Sequence, residues 1–239
     1  MENQEFYYQE LSAERQMKVS EAFPVLMRKV YTWMALALAI TGMTAYYVAT
    51  NETLMTSILT NKVLFYGLII AEVGLVLGVS AAIGRLSALT ATLLFILYSV
   101  INGATLSIIF LAYTASSIAT VFFITAGTFA AMALIGYTTK TDLSSIGRIM
   151  FMALIGLIIA TVVNIFLKSE GLTMILSYVG VIVFVGLTAW DTQKIKNMLM
   201  MAPDGGETAQ KMALLGALTL YLDFVNLFIY MLQIFGKRR

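Results

Sequence analysis

The chain has 239 residues, 60% of them hydrophobic and only 12% charged, with a mean hydropathy of +0.88 and a net charge of +2. A soluble domain is about 25% charged, so this composition describes an all-α polytopic membrane protein with no room for a second soluble domain. Cysteine and histidine are both absent. That excludes disulfides, thiolate or imidazole metal sites and any Ser-His or Cys-His catalytic pair, and it leaves proton or ion chemistry to Asp, Glu, Lys, Arg, Tyr and the backbone.

Residues 1–29 form the longest polar stretch, MENQEFYYQELSAERQMKVSEAFPVLMRK. It lacks a positive n-region followed by a short apolar core and a cleavage site, so it does not read as a secretory signal. The expectation is a cytoplasmic tail, partly disordered or lying as an amphipathic helix on the membrane surface. Residues 30–239 then form one transmembrane domain. Because about 20 residues at a 1.5 Å rise cross about 30 Å of hydrocarbon, seven apolar runs read as spans: Val30–Thr50, Val63–Ile83, Leu86–Tyr113, Ile118–Thr138, Ile146–Leu167, Leu172–Trp190 and Ala213–Phe235. The linkers TNETLMTSILTNK, IGR, TASS, TKTDLSSIGR, KSEG and MMAPDGGETAQK separate them, and PDGGE is the clearest loop. The third run is long, so it is tilted or wet at its ends.

The second run carries Glu72 near its middle and Arg85 at its end. A midplane glutamate is a functional candidate by default, here a candidate for an ion path. The plainer reading is a protonated carboxyl bonded to a neighbouring backbone. Small residues at helical spacing, Gly74, Gly78 and Ala82 on the second run and Ser99, Gly103 and Ser107 on the third, read first as helix packing. Asn102 stands beside Gly103 in the third run and is a further candidate for the path.

Lys and Arg in short loops set orientation. Arg15, Lys18, Arg28, Lys29, Arg85, Lys140, Arg148, Lys194, Lys196 and Lys211 fall on one side. Lys62, Lys168, Lys237, Arg238 and Arg239 fall on the other. The N-terminus is therefore expected in the cytoplasm and, with seven spans, the C-terminus outside. The basic residues at positions 237–239 would sit better inside if the last run were re-entrant, but that run is long enough to cross.

Asp191 ends the sixth run and Asp223 lies within the last. A carboxylate at membrane depth costs about 2.5–3.5 kcal/mol on insertion scales, so each must be paired, protonated or useful. Lys194, one turn on, is the plain partner for Asp191. On the last run Thr219, Asp223, Asn226, Tyr230 and Gln233 recur at steps of 4, 3, 4 and 3 residues, which puts them on one face of an otherwise apolar helix. Interhelical hydrogen-bond glue would explain Thr, Asn and Gln; the aspartate favours a hydrated path. Asp223 lies about 15 Å in from the start of its run, and the depths match if the sixth helix extends past Trp190. Two close carboxylates cannot both ionise cheaply and titrate as a coupled pair, a pH sensor without histidine. Arg85, on the same side, could clamp one of them or be an ordinary loop cation.

The segments TAWDTQKIK and LTLYLDFVNLFIYMLQIFG resemble the last two signatures of the transmembrane Bax inhibitor motif family (Bax inhibitor-1-like). GRLSALTATLLFILYSVINGATLSIIFLAYT, with Asn102-Gly103, resembles its third-helix signature, and FPVLMRKVYTWMALALAITG fits its first. The resemblance covers almost the whole chain from Phe23. It implies a seven-helix bundle whose last helix is central and wrapped by the other six, and a pH-sensitive calcium leak governed by the pair that maps to Asp191 and Asp223. Those two would be the calcium ligands, with Ca²⁺ as a permeant ion and no other cofactor. The family also latches the pair with an arginine in a SARI stretch. This chain reads SAAIGR, with Ala82 in the arginine column and Arg85 nearest. Gln233 stands where the family commonly has arginine. A bacterial cytoplasmic membrane is the expected location.

Three functional classes compete. A cation leak fits the oxygen-rich seam, since hard cations take oxygen ligands. An intramembrane aspartyl protease would also use two aspartates, but its GxGD signature is missing, so no enzyme is expected. The third is a non-transporting regulatory protein that binds a membrane protease or a cell-death or stress factor. Expected partners are the lipid bilayer, calcium ions and other membrane proteins. No basic run points to nucleic acid.

Overall fold

The computed structural model describes the backbone of residues 2–202 and 206–239, with side chains from residue 21 onward. The centre of the expected PDGGE loop, residues 203–205, and the side chains that would make the first 20 residues amphipathic lie outside the described residues. Among the described residues the chain is helical without strands. Its elements are α1 (Glu2–Thr50), α2 (Glu52–Thr60), α3 (Lys62–Ala82), α4 (Ala88–Leu106), α5 (Ile109–Ala112), α6 (Ala115–Thr138), α7 (Ser144–Leu167), α8 (Glu170–Met200) and α9 (Glu207–Phe235). Seven segments are long and apolar enough to cross a membrane, with α4 and α5 together making one. The chain is a multi-pass membrane protein.

Three boundaries differ from the sequence expectation. The first helix does not begin at Val30. It runs unbroken through Pro24, and Leu26 and Met27 are already buried in the core. The linker TNETLMTSILTNK is a helix rather than a loop: Asn51 Oδ1 accepts from Leu54 N and caps α2, while Met55 and Ile58 bury its inner face. A side-chain oxygen at that position satisfies an otherwise orphaned amide. The long third run is broken after Leu106, where Ser107 Oγ donates back to Ala104 O at 2.6 Å.

In lipid, helices associate by close packing and hydrogen bonding rather than by hydrophobic drive, so burial shows which helices are enclosed. Two-thirds (67%) of the apolar window of α9 is buried, against 44% for α8 and 6% for α3 and for α7. The principal neighbours of α9 are α1, α4, α6 and α8. The outer helices α3 and α7 pack on α4 and α8 respectively. The two small-residue stripes therefore part company. Ser99 and Ser107 are fully buried, and a Cβ on Gly103 would stand 2.6 Å from Thr41 O, so this stripe is where α1 meets α4. Gly74 and Gly78 have nothing within 4 Å of a Cβ position and face outward, not into a helix contact.

The ends of α9 lie at opposite ends of the bundle. At its start, Glu207 Oε1 accepts from Ala88 N at 3.1 Å, and Lys211 Nζ donates to Leu86 O at 3.1 Å. Beyond its end, Tyr113 and Arg238 form an antiparallel bridge, with Thr114 N donating to Lys237 O and Arg239 N to Ala112 O. The α3–α4 turn and the α5–α6 junction are separated by one full crossing, so the last run crosses and is not re-entrant.

Candidate functional site

Helix α8 continues through Trp190 as far as Met200, and this extension carries Asp191 to the level of Asp223 on antiparallel α9. Both are buried, at 7% and 5% exposure, and their carboxyl groups hydrogen-bond to each other. Asp223 Oδ2 is fully covered, and no N–H or hydroxyl donates to it. The segment of α8 before Asp191 is clamped. A Cβ on Gly136 of α6 would collide with the Ala189 backbone, so only glycine lets α6 lie this close. Gln193 ties the other side, accepting from Leu143 N at 2.8 Å and donating to Thr141 O at 2.9 Å.

The α8–α9 seam is layered. Two turns from the acid pair on each helix, Phe184 and Tyr230 stack with centroids 5.9 Å apart, and farther along Ser177 Oγ donates to Gln233 Oε1 at 2.6 Å. Here α7, α8 and α9 border an open vestibule of about 430 Å³, lined by polar Thr161, Asn164, Lys168, Glu170, Thr173, Asn226, Tyr230 and Gln233 and by apolar Ile165, Leu176 and Ile229. Asn226, a lining residue, donates its amide to Leu222 O at 2.8 Å. Asn226 is three residues, about 4.5 Å of helix rise, from Asp223. Thr219 lies one turn past the pair in the other direction, half-buried, its hydroxyl on Leu215 O.

Of the other sequence candidates, Lys194 lies over the Trp190 ring, 5.0 Å from its centroid, and acts on Asp191 through its charge. Arg85 is in the exposed turn between α3 and α4 and is not among the contacts of either aspartate. Glu72 and Asn102 belong to a second polar cluster on the opposite flank of α9. Glu72 approaches Asn102 and Thr105, and its Oε1 is covered and unpartnered. The Tyr221 hydroxyl donates to Asn102 Oδ1 at 2.9 Å and stands 2.7 Å from Thr41 Oγ1, which also lies 2.9 Å from Ser99 O. Phe95 and Tyr98 meet the Tyr221 ring edge-on, both at 5.7 Å. Tyr221, Thr41, Gln193 and Gly136 were not singled out from sequence. Tyr221 lies off the polar seam, and the partners of Gln193 are some 50 residues away along the chain. Among the described residues no three Asp, Glu, His or Cys side chains gather to hold a metal, so a cation at the pair would take two carboxylates plus neutral oxygens.

Outside the spans, Asp142 sits at the start of α7. Its carboxyl is held below the ordinary carboxylate range by hydrogen bonds from Ser144, side chain and backbone, the latter at 2.9 Å, and secondarily by the charge of Arg148.

A family model described as "Inhibitor of apoptosis-promoting Bax1" matches residues 24–239. The chain is 54% identical over 215 residues to the inner membrane protein YbhL of Escherichia coli (strain K12), covering 89% of this chain and 92% of the relative. It is 45% identical over 213 residues to an uncharacterized protein of Borreliella burgdorferi, with 89% and 92% coverage. To an uncharacterized membrane protein of Streptococcus pyogenes serotype M1 it is 35% identical over 211 residues, with 87% and 91% coverage.

Proposed function

The chain belongs to the Bax inhibitor-1-like family of membrane proteins, and on that premise we propose that it is a cation leak, with calcium as the favoured ion, gated by the protonation of Asp191 and Asp223. The observation that supports this reading is the vestibule whose inner lining, Asn226, lies one turn from a buried carboxyl pair. Its lining includes the charged Lys168 and Glu170 and the hydroxyl, amide and phenol side chains of Thr161, Asn164, Thr173, Asn226, Tyr230 and Gln233. Those are the ligands a hard cation accepts as it sheds water. The acid pair closes the inner end. With one shared proton the two helices are held together. With both groups ionised they repel across a medium of low effective dielectric, and helix spacing becomes linked to proton occupancy.

We infer the orientation from the charges at the two ends of the bundle. Lys140, Arg148, Arg85 and Lys211 lie in or beside the connections at the end of the bundle where α1 enters, and Lys62, Lys168 and Lys237 at the other. The positive-inside rule places α1's entry in the cytoplasm, so the vestibule opens outward.

The test is calcium flux into vesicles of pure lipid that contain only the purified chain. Flux that rises with protein content and responds to pH supports the leak. Folded protein with no flux refutes it and favours the non-transporting regulatory alternative.

A further inference from the structure

Helices α1 and α6 both flank α9 but scarcely touch one another. The seam between them holds two adjoining cavities of about 590 and 350 Å³, with Leu38, Phe122 and Phe224 in the lining of both; the larger is an apolar slot. Its walls are apolar, with Met34, Phe129, Ala130 and Ala133 among them. Its mouth, where α1 enters the bundle, is cationic. Arg28 lines it, and Lys196 Nζ donates to the carbonyl of Tyr137, another lining residue, at 2.8 Å while lying 5.2 Å from the Tyr137 ring.

A slot of this kind at membrane depth has one natural occupant. Apolar walls offer water no partners, and an empty slot forfeits dispersion contacts along its whole lining. A hydrocarbon chain supplies them. Two cations at the membrane interface bind phosphate oxygens by charge-assisted hydrogen bonds. We propose that the α1–α6 seam binds one anionic phospholipid, with an acyl chain along the slot and the headgroup phosphate on Arg28 and Lys196. Tyr31, a lining residue, approaches Thr192, which follows Asp191 in α8, and the lining residue Phe224 follows Asp223 in α9. The inference does not depend on transport.

Native mass spectrometry of the delipidated full chain in detergent tests it, with phosphatidylglycerol and phosphatidylcholine of identical acyl chains as probes. One phosphatidylglycerol should be retained with roughly thirtyfold preference, on the scale of two interfacial cations. The Arg28→Gln/Lys196→Gln double variant should lose the preference and keep weak binding of both lipids. Ala130→Trp, which fills the slot from its exposed wall, should weaken both lipids alike, and Leu134→Trp serves the same purpose if the first variant does not fold. The same retention of both lipids by the parent, or unchanged retention in a folded slot-filling variant, overturns the proposal.

Discussion

Tyr221 and Asp223 stand two residues apart on α9 and serve opposite flanks of it. The phenol reaches Asn102 on α4, and the carboxyl reaches Asp191 on α8. One turn of one helix therefore carries a member of each of these two buried polar clusters.

The Tyr221 cluster is structural in its chemistry, and Tyr221→Phe tests it. Loss of the hydroxyl leaves Asn102 Oδ1 without its donor in a buried site. Interhelical hydrogen bonds in membranes contribute roughly 0.6 kcal/mol on average and rarely exceed about 1.7. The expected loss is about 1 kcal/mol, read as a lower unfolding midpoint in mixed micelles, with the pH response of flux retained.

The acid pair is tested by Asp223→Asn and Asp191→Asn. Each keeps a hydrogen-bonding side chain, so the fold should survive, but the variant pair no longer exchanges a proton between two acids. Calcium flux into vesicles should lose its pH response across the neutral range in both. A pH response matching the parent in both folded variants would refute the sensor.

Asn226→Leu should separate the path from the sensor. Of the residues that line the vestibule, Asn226 is the one nearest Asp223 along α9, and leucine has similar bulk without oxygen. Flux should fall several-fold at every pH, while the shape of the pH profile stays as in the parent.

Gly136→Ala places a methyl against the Ala189 backbone, where no side chain can yield. Overpacking of this kind costs about 1–3 kcal/mol. Thermal denaturation should show it, and the pH profile of flux should shift because the displaced segment of α8 carries Asp191.

Asp142 offers a titration outside the membrane. Its folded value lies below the unfolded one, so the Ser144 contacts add stability above the ordinary carboxylate range and lose it as pH falls through the folded value. A carbon-13 titration of its carboxyl should place its midpoint below the ordinary value of 3.8, and Ser144→Ala should raise it.

The spans and the two aspartates were legible in the sequence because hydropathy and a charge in an apolar run are local signals. What brings the aspartates to one level was only partly so. The run DTQKIKNML can stay helical, and in the structure it does, with Gln193 held by Thr141 and Leu143 across a loop that local sequence does not reveal. Helix α2 was missed because its Asn51 and Asn61 look like loop residues and are in fact caps. Gly74–Gly78 and Ser99–Gly103 present the same spacing, yet only the second finds a neighbour. Spacing marks a face able to pack, and the tertiary arrangement decides whether a partner is there. For Glu72, residue type and depth were readable, but not that its neighbours would be Asn102 and Thr105 rather than the acid pair.

The bonds at the two ends of α9 have a mechanical consequence. With Glu207 and Lys211 fastened to the α3–α4 turn, and Lys237 and Arg239 to the α5–α6 junction, the helix is a strut tied at both ends. A piston stroke along its axis would break both ties at once. Parting of the two carboxyls is cheaper sideways, by bowing of α9 between its anchors or by α8 swinging away. A probe placed at mid-helix should register such a motion, and one at either tie should stay still.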